Sequence, residues 1–200
     1  MGRRSGPLVL AILAALAGGP AAATTLRPFS VRELATRAEL VFEGRALARA
    51  ARALAPGGAI RTCVEFEVLE VVKGPPVASP LVLCFSGGRV GTRERRVHGL
   101  DVPEPGERGV YFVADLGGAR IHPLAGWDQG RFRVREGLVP EVTTADGRPV
   151  VGLDPAPPPA RGPDRDGVAR GARLGSPGER GLDPAAFKAR LRALLAEPGP

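Results

Sequence analysis

The chain has 200 residues and a net charge of +7, and almost all of its 28 cationic side chains are arginines. A basic charge can attract nucleic acid, but aromatic residues make up only 4% of the chain, too few for the stacking platforms that bind single strands. We therefore exclude nucleic acid as a partner and interpret the charge as a solvated, arginine-rich surface.

Residues 1–23 have the pattern of a cleaved export signal. A basic start at Arg3 and Arg4 precedes an uncharged apolar stretch from Leu8 to Ala17. This stretch is too short to cross a bilayer, which takes about 20 apolar residues. The small-residue run that follows predicts cleavage after Ala23. We therefore expect a periplasmic or secreted protein that has no transmembrane span once the signal is removed.

Residues 24–152 are predicted to form one β-rich domain, because a segment of about 120 residues is enough for one hydrophobic core and hardly for two. The domain opens with a short helix from about Val31 to Ala38. Ser30 and Glu33 have the spacing of a capping box, in which each side chain accepts a hydrogen bond from the backbone N–H of the other residue. This spacing fixes the predicted start of the helix.

The rest of this domain is predicted to consist of short strands separated by turn residues. The clearest strand is 60–72, where β-branched residues alternate with glutamates. Residues 45–55 consist mainly of Ala, Leu and Arg, so their pattern fits a helix as well as a strand that runs into a loop; we favour the strand. Further strands are predicted at 40–45, 80–85, 110–114, 131–135, 141–144 and 149–151.

Two cysteines, Cys63 and Cys84, follow the export signal. In an oxidising compartment an even pair predicts one disulfide. Each cysteine lies on a predicted strand, on the face opposite the main apolar side chains. A bridge between these neighbouring strands is therefore the favoured interpretation. The alternative is a reactive thiol beside His98 or His122, for which no local pattern speaks.

The segment 87–108 is rich in Gly, Arg and Pro and has no sustained period, so it is predicted to be a long surface loop or an irregular hairpin. Its arginines can attract an anionic partner. The only tryptophan, flanked by glycines, either packs at the rim of the core or stacks on a sugar ring or a partner. The candidate binding residues are therefore Trp127, Arg89, Arg93, Arg95 and Arg96.

Residues 153–181 are dominated by Pro, Gly, Arg and Asp, and we expect a disordered linker. Residues 182–197 are predicted to form an amphipathic helix, with Asp183 as N-cap and Pro184 at the first helical position. Because short isolated helices are marginal in water, we expect this helix to pack on the β-domain rather than on a partner or a membrane. The docking stripe consists of the apolar residues at helical spacing, Phe187, Leu191, Leu194 and Leu195.

Several motifs follow one another in order along residues 30–151: a strand that ends in Gly44, the block from Thr62 to Gly74, the pair Gly87–Gly88, the apolar strand Val110–Val113 and the run Gly130–Val134. This order resembles small exported bacterial proteins of unknown function, and it is similar to the netrin-like module of tissue inhibitors of metalloproteinases. The resemblance implies an all-β domain with a small OB-like, Greek-key β-barrel. Those inhibitors chelate the protease's zinc through an N-terminal cysteine, which a chain cleaved after Ala23 does not offer, so only the barrel is carried over.

No acid, base and nucleophile occur together in the pattern of an active site, and neither histidine lies at metal-ligand spacing. We therefore expect no enzymatic activity, no metal and no cofactor. The leading hypothesis is a non-catalytic secreted or periplasmic binding module whose partner is an extracytoplasmic protein. The alternatives are a protease-inhibitor-like protein that acts through the loop 87–99, and a module that binds an anionic envelope polysaccharide.

Overall fold

A computed structural model describes residues 27–55, 57–97, 100–118, 120–160, 162 and 167–197. The predicted export signal and His98 lie outside these ranges. The described chain is mostly β, with a short helix near its start and one at its C-terminal end, as predicted. The elements are α1 (Val31–Arg37), β1 (Leu40–Ala53), β2 (Ile60–Lys73), β3 (Leu81–Ser86), β4 (Gly88–Val90), β5 (Arg93–Arg95), β6 (Arg108–Val113), a 3-10 turn (Trp127–Gly130), β7 (Arg131–Arg135), β8 (Glu141–Thr144), β9 (Val150–Leu153), β10 (Ala172–Leu174) and α2 (Pro184–Ala196).

Six of the strands form one antiparallel sheet in the order β3-β2-β1-β6-β7-β8. The long strands β1 and β2 pair from Val41 and Lys73 to Ala53 and Ile60, so residues 45–53 are strand and not helix. β3 and β8 are the edges of the sheet, and no pairing joins them in the described part of the chain. The sheet is therefore open and does not close into the barrel that the resemblance implied. The chain after β8 instead forms β9, which pairs with β10.

Both faces of the sheet are covered by apolar side chains, because residues alternate between the two faces along each strand. On one face, Val41, Phe112 and Phe132 pack against the two helices. On the other face, Phe42, Phe66 and Tyr111 form an aromatic cluster with ring centroids 4.8 to 5.7 Å apart, covered by loops. Along the central strand β6, side chains on both faces are therefore buried. No helix in the described ranges is long and apolar enough to cross a membrane.

Helix α1 is stabilised at both ends by side chains. Ser30 and Glu33 form the predicted capping box at its start. At its other end, Lys73 Nζ donates hydrogen bonds to the carbonyl oxygens of Ala35 at 2.6 Å, Thr36 at 3.2 Å and Ala38 at 2.6 Å. A cation at a helix C-terminus satisfies carbonyl groups that have no partner within the helix. These bonds attach α1 to the end of β2.

Helix α2 packs on the same face of the sheet as α1. Its N-cap is Asp183, whose carboxylate accepts a hydrogen bond from Ala186 N, and Pro184 occupies the first turn. Leu195 is half-buried. Three of the four residues of the docking stripe are buried in the core below the helix, namely Phe187, Leu191 and Leu194.

The segment expected to be a linker, 153–181, has in part a definite place on the domain. β10 pairs with β9, and Arg170 N donates a hydrogen bond to Phe29 O at 2.8 Å. Ala169 is buried in the same core as α2. A few small apolar residues among the prolines and glycines are enough to hold the described part of this segment against the sheet.

A disulfide joins Cys63 on β2 to Cys84 on the edge strand β3, as predicted. The two residues are direct partners in the register of the strands, and their Cα atoms are 3.9 Å apart. The bridge therefore fixes β3 against its only neighbour in the six-stranded sheet. Because β3 leads into the next hairpin, the bridge also fixes where that hairpin begins.

Replacing both cysteines, Cys63→Ser with Cys84→Ser, is expected to lower the free energy of unfolding by about 3 kcal/mol, since the bridge closes a loop of 21 residues in the unfolded chain. Urea unfolding followed by far-ultraviolet circular dichroism measures this change. The reduced wild-type chain is the control and should match the double variant. A loss below about 1 kcal/mol would contradict the prediction.

Candidate functional site

The pair Gly87–Gly88 turns the chain from β3 into the hairpin of β4 and β5. Both residues have positive φ angles, +102° and +127°, which favour glycine. A Cβ on Gly88 would lie 2.3 Å from Thr62 Oγ1, so only glycine allows this close approach to β2. Thr62 Oγ1 also donates a hydrogen bond to Gly87 O at 2.8 Å. The hairpin is therefore held tightly against β1 and β2.

The hairpin carries most of the arginines that the sequence marked as binding candidates. Arg89 is paired in register with Glu94, and Arg93 and Arg95 alternate with that glutamate along β5. Arg93 donates hydrogen bonds to the carbonyl oxygens of Gly57 and Gly58, both at 3.1 Å, so it attaches the hairpin to the turn between β1 and β2. All of these arginines are exposed.

A cleft of about 630 Å³ opens between the hairpin, the outer half of β1 and the segment after residue 96. We call it the arginine cleft. Four arginines line it, together with three acidic residues and apolar side chains from the segment that closes it. The lining residues used below are Arg49, Arg89, Arg95, Arg96, Glu94, Asp101, Glu104, Val97, Leu100 and Val102.

The charges of the arginine cleft do not cancel. Arg49 pairs with Glu104 at 2.6 Å, and Arg96 pairs with Glu94 at 2.9 Å. Arg89 and Arg95 form no ion pair with any residue that the structure describes. Two guanidinium groups of the cleft therefore have no carboxylate within ion-pair distance among the described residues.

Arg131 holds the wall of the cleft in place from inside the protein. Its side chain is fully buried, and its guanidinium donates to both carboxylate oxygens of Glu107, at 2.9 and 2.5 Å. It also donates to the backbone and side-chain oxygens of Asp101, at 2.8 and 3.1 Å. Burial lowers the pKa of Arg131, but the hydrogen bonds and charge of Glu107, together with Asp101 and Tyr111, outweigh burial and raise it. The fixed positive charge thus anchors the cleft wall to the sheet.

Tyr111 extends this buried network. Its hydroxyl donates a hydrogen bond to Glu107 Oε1 at 3.2 Å. Burial and the neighbouring carboxylate raise the pKa of Tyr111 far above its usual range, so the phenol stays protonated. Glu107 therefore accepts hydrogen bonds from two buried side chains and helps to position the wall.

No known protein family, curated protein or solved structure matches this chain.

The structure brings together part of the predicted binding set. Arg89, Arg95 and Arg96 line the arginine cleft, whereas Arg93 binds the turn between β1 and β2. Trp127 lies elsewhere, in a second pocket beside His122.

The described residues contain no group of three or more His, Cys, Asp or Glu side chains that is arranged to hold a metal.

Two arginines that shape this region were not among the predicted binding residues: Arg49, which lines the cleft, and Arg131, which binds the cleft wall from inside the protein. Arg49 lies in the Ala- and Arg-rich run whose pattern also fitted a helix, so its position depended on the pairing of β1 with β2. Arg131 alternates with the inward Phe132, which predicted an exposed side chain. Because the second face of the sheet is also covered, that side chain is buried.

Proposed function

We propose that the protein is a non-catalytic binding module that works outside the cytoplasm and holds an acidic segment of a partner protein in the arginine cleft. The observation that carries the proposal is the pair of unpaired arginines, Arg89 and Arg95, on a hairpin fixed by Gly87 and Gly88. A guanidinium group binds a carboxylate through two parallel hydrogen bonds. Because the hairpin is held in place, little conformational entropy is lost on binding.

The chemistry of the cleft favours a protein over a uniformly charged polysaccharide. Leu100 and Val102 line the cleft beside the arginines, and both also pack on the aromatic core. A segment that alternates acidic and apolar side chains would use both kinds of surface. Interfaces between proteins are typically enriched in arginine and carry an apolar centre inside a polar rim.

A peptide selection tests this proposal. A displayed random peptide library is bound to the wild-type chain, and peptides that also bind the variant Arg89→Gln/Arg95→Gln are removed. We expect the selected peptides to combine Asp or Glu with apolar residues. For the best synthetic peptide, labelled with fluorescein, anisotropy should show at least a tenfold loss of affinity in the variant, about 1.4 kcal/mol.

The matched control is Arg173→Gln/Arg180→Gln, which removes the same charge from two exposed arginines of the C-terminal segment. This control should bind the peptide as the wild type does. An equal loss in the control would show that only net charge matters. The proposal is contradicted if the selected peptides lack acidic residues, or if Arg89→Gln/Arg95→Gln leaves their binding unchanged. Displacement of the peptide by alginate, a polymer of uronic acids, but by no acidic protein fragment would favour the polysaccharide alternative instead.

A further inference from the structure

A second pocket, of about 550 Å³, lies between the start of the described chain and the loop that follows β6. We call it the tryptophan pocket. The loop folds back on β6, because Ala114 N donates to Pro123 O and Ala125 N donates to Phe112 O, both at 2.8 Å. The pocket residues used below are Phe29, Arg37, Arg120, Ile121, His122 and Trp127.

Two aromatic walls of the pocket are tied together by a buried glutamine. Gln129 accepts a hydrogen bond from Phe29 N at 2.7 Å and donates one to Arg27 O at 3.1 Å. Trp127, two residues earlier, has a φ angle of +59°, the only positive value at a non-glycine residue in the described chain. Such a conformation persists only where the surroundings impose it. The separation of the aromatic rings is thus built into the fold.

His122 forms part of the wall and stays uncharged. Its ring is stacked on Trp127, with centroids 5.6 Å apart. Its Nδ1 accepts a hydrogen bond from Leu124 N at 3.1 Å, so the proton of the neutral ring resides on Nε2. Burial lowers the pKa of His122 to about 3. The Nε2–H group is buried without a partner among the described residues, an uncommon state that a bound acceptor or a water can satisfy.

The charge of the tryptophan pocket comes from two arginines. Arg37 lies over the ring of Phe29, with its guanidinium carbon 4.9 Å from the ring centroid. Arg120 is exposed and lines the pocket on the side of the loop. Neither arginine forms an ion pair with a described residue. Ile121, next to Arg120, leaves 64% of its surface exposed, which is unusual for a large apolar side chain.

We propose that the tryptophan pocket binds a small aromatic carboxylate. The aromatic ring of the ligand lies against Phe29, Ile121 and Trp127, and its carboxylate is held by Arg37 and Arg120. Apolar walls with a few convergent polar groups are typical of small-molecule sites. A neutral ligand would leave both guanidinium groups without a carboxylate, and a purely hydrophilic anion would leave the apolar walls uncovered. The site is separate from the arginine cleft and does not rest on the function proposed for it.

Phenylacetate is the probe, and phenylacetamide is its uncharged analogue. Because Trp127 is the only tryptophan in the chain, intrinsic fluorescence reports on this pocket directly. Titration of the full chain with phenylacetate should give a saturable change with a dissociation constant of about 1 mM, the range accessible to so small a ligand. Phenylacetamide should bind at least about tenfold more weakly, because its neutral amide cannot form an ion pair with the two guanidinium groups.

Arg120→Gln, Arg37→Gln and Ile121→Ser should each weaken phenylacetate binding by about fivefold or more. Arg173→Gln, an exposed arginine elsewhere, should leave it unchanged. Thermal unfolding of each variant confirms that it folds, and the three different substitutions keep the test valid if one does not. The proposal is overturned if phenylacetate causes no saturable change, if phenylacetamide binds equally well, or if the folded arginine variants bind as the wild type does.

Discussion

Replacing Arg131 with methionine is expected to lower the free energy of unfolding by about 4 kcal/mol, the largest effect of any substitution considered for this protein. Methionine fills a similar volume, so the loss is one of charge and hydrogen bonds rather than of packing. Glu107, which is nearly buried, would lose its bidentate partner and keep Tyr111 and Arg133. Removing one partner of a buried ion pair leaves a charge that is neither solvated nor paired.

Urea unfolding of Arg131→Met measures the effect. The matched control is Arg133→Met, which removes a second arginine from the same carboxylate, 3.1 Å away, but from a side chain that is 38% exposed. We expect the control to lose less than about 1 kcal/mol. Arg131→Met should also lose binding of the selected acidic peptide at temperatures where it is folded, because Asp101 is released from the cleft wall. Equal losses for the two variants would contradict the role assigned to Arg131.

Replacing Lys188 with methionine is expected to cost about 3 kcal/mol. Glu43 and Glu70 are direct partners across β1 and β2, and like charges in such positions repel each other. Lys188 Nζ donates hydrogen bonds to both carboxylates from helix α2. Without it, the repulsion returns beside a Glu43 side chain that is almost fully buried. Arg108, 2.6 Å from Glu43, keeps the expected loss below that of Arg131→Met.

Arg192→Met is the control, since Arg192 also binds Glu70 but is exposed; it should cost less than about 1 kcal/mol. The double variant Lys188→Met/Glu43→Gln should recover at least about 1 kcal/mol of the loss, because the repulsion between Glu43 and Glu70 is gone. Urea unfolding gives all three values, and hydrogen exchange of α2 shows whether the helix detaches. If Lys188→Met costs no more than Arg192→Met, the lysine does not hold α2 to the sheet.

The difference between the wild type and Lys188→Met should depend on pH with a definite sign. Hydrogen bonds from Lys188 and Arg192 lower the pKa of Glu70 below its ordinary 4.5. The stability that ionised Glu70 contributes is therefore fully present above pH 4.5 and is lost as the pH falls through the lowered pKa. Burial lowers the pKa of Lys188, but its bonds to Glu43 and Glu70 outweigh burial and raise it above 10.5. Its contribution is therefore lost only as the pH rises through that raised value. The measured difference should be largest between these limits.

The strands and the disulfide could be predicted because their signals are local. Alternation of apolar residues predicted β2 and β7. The same alternation predicted that Cys63 and Cys84 lie on the same face of neighbouring strands. Residues 45–53 show the limit of local signals, since Ala, Leu and Arg favour a helix, and pairing with β2 makes this stretch a strand.

The cleft could be predicted only in part, because it depends on which distant residues the sheet brings together. The arginines of the hairpin are close together in the sequence, and their abundance in a segment without periodicity identified them as binding candidates. Arg49 reaches the cleft through the pairing of β1 with β2, and Arg131 binds the cleft wall at Asp101 from the second core on the other face of the sheet. The open sheet could not be predicted for the same reason. β9 pairs with the distant β10, and the order of the strands along the chain does not indicate this pairing.

Both lysines of the chain are occupied by the structure: Lys73 holds three carbonyl groups at the end of α1, and Lys188 is enclosed between two carboxylates. The folded surface consequently offers arginines in abundance and hardly any reactive amine apart from the chain terminus. Amine-directed crosslinkers and dyes are therefore expected to react with the folded chain mainly at its terminal amine. A fluorescent label or a surface tether needs another chemistry, and acylation of either lysine by such a reagent reports that a helix has left the sheet.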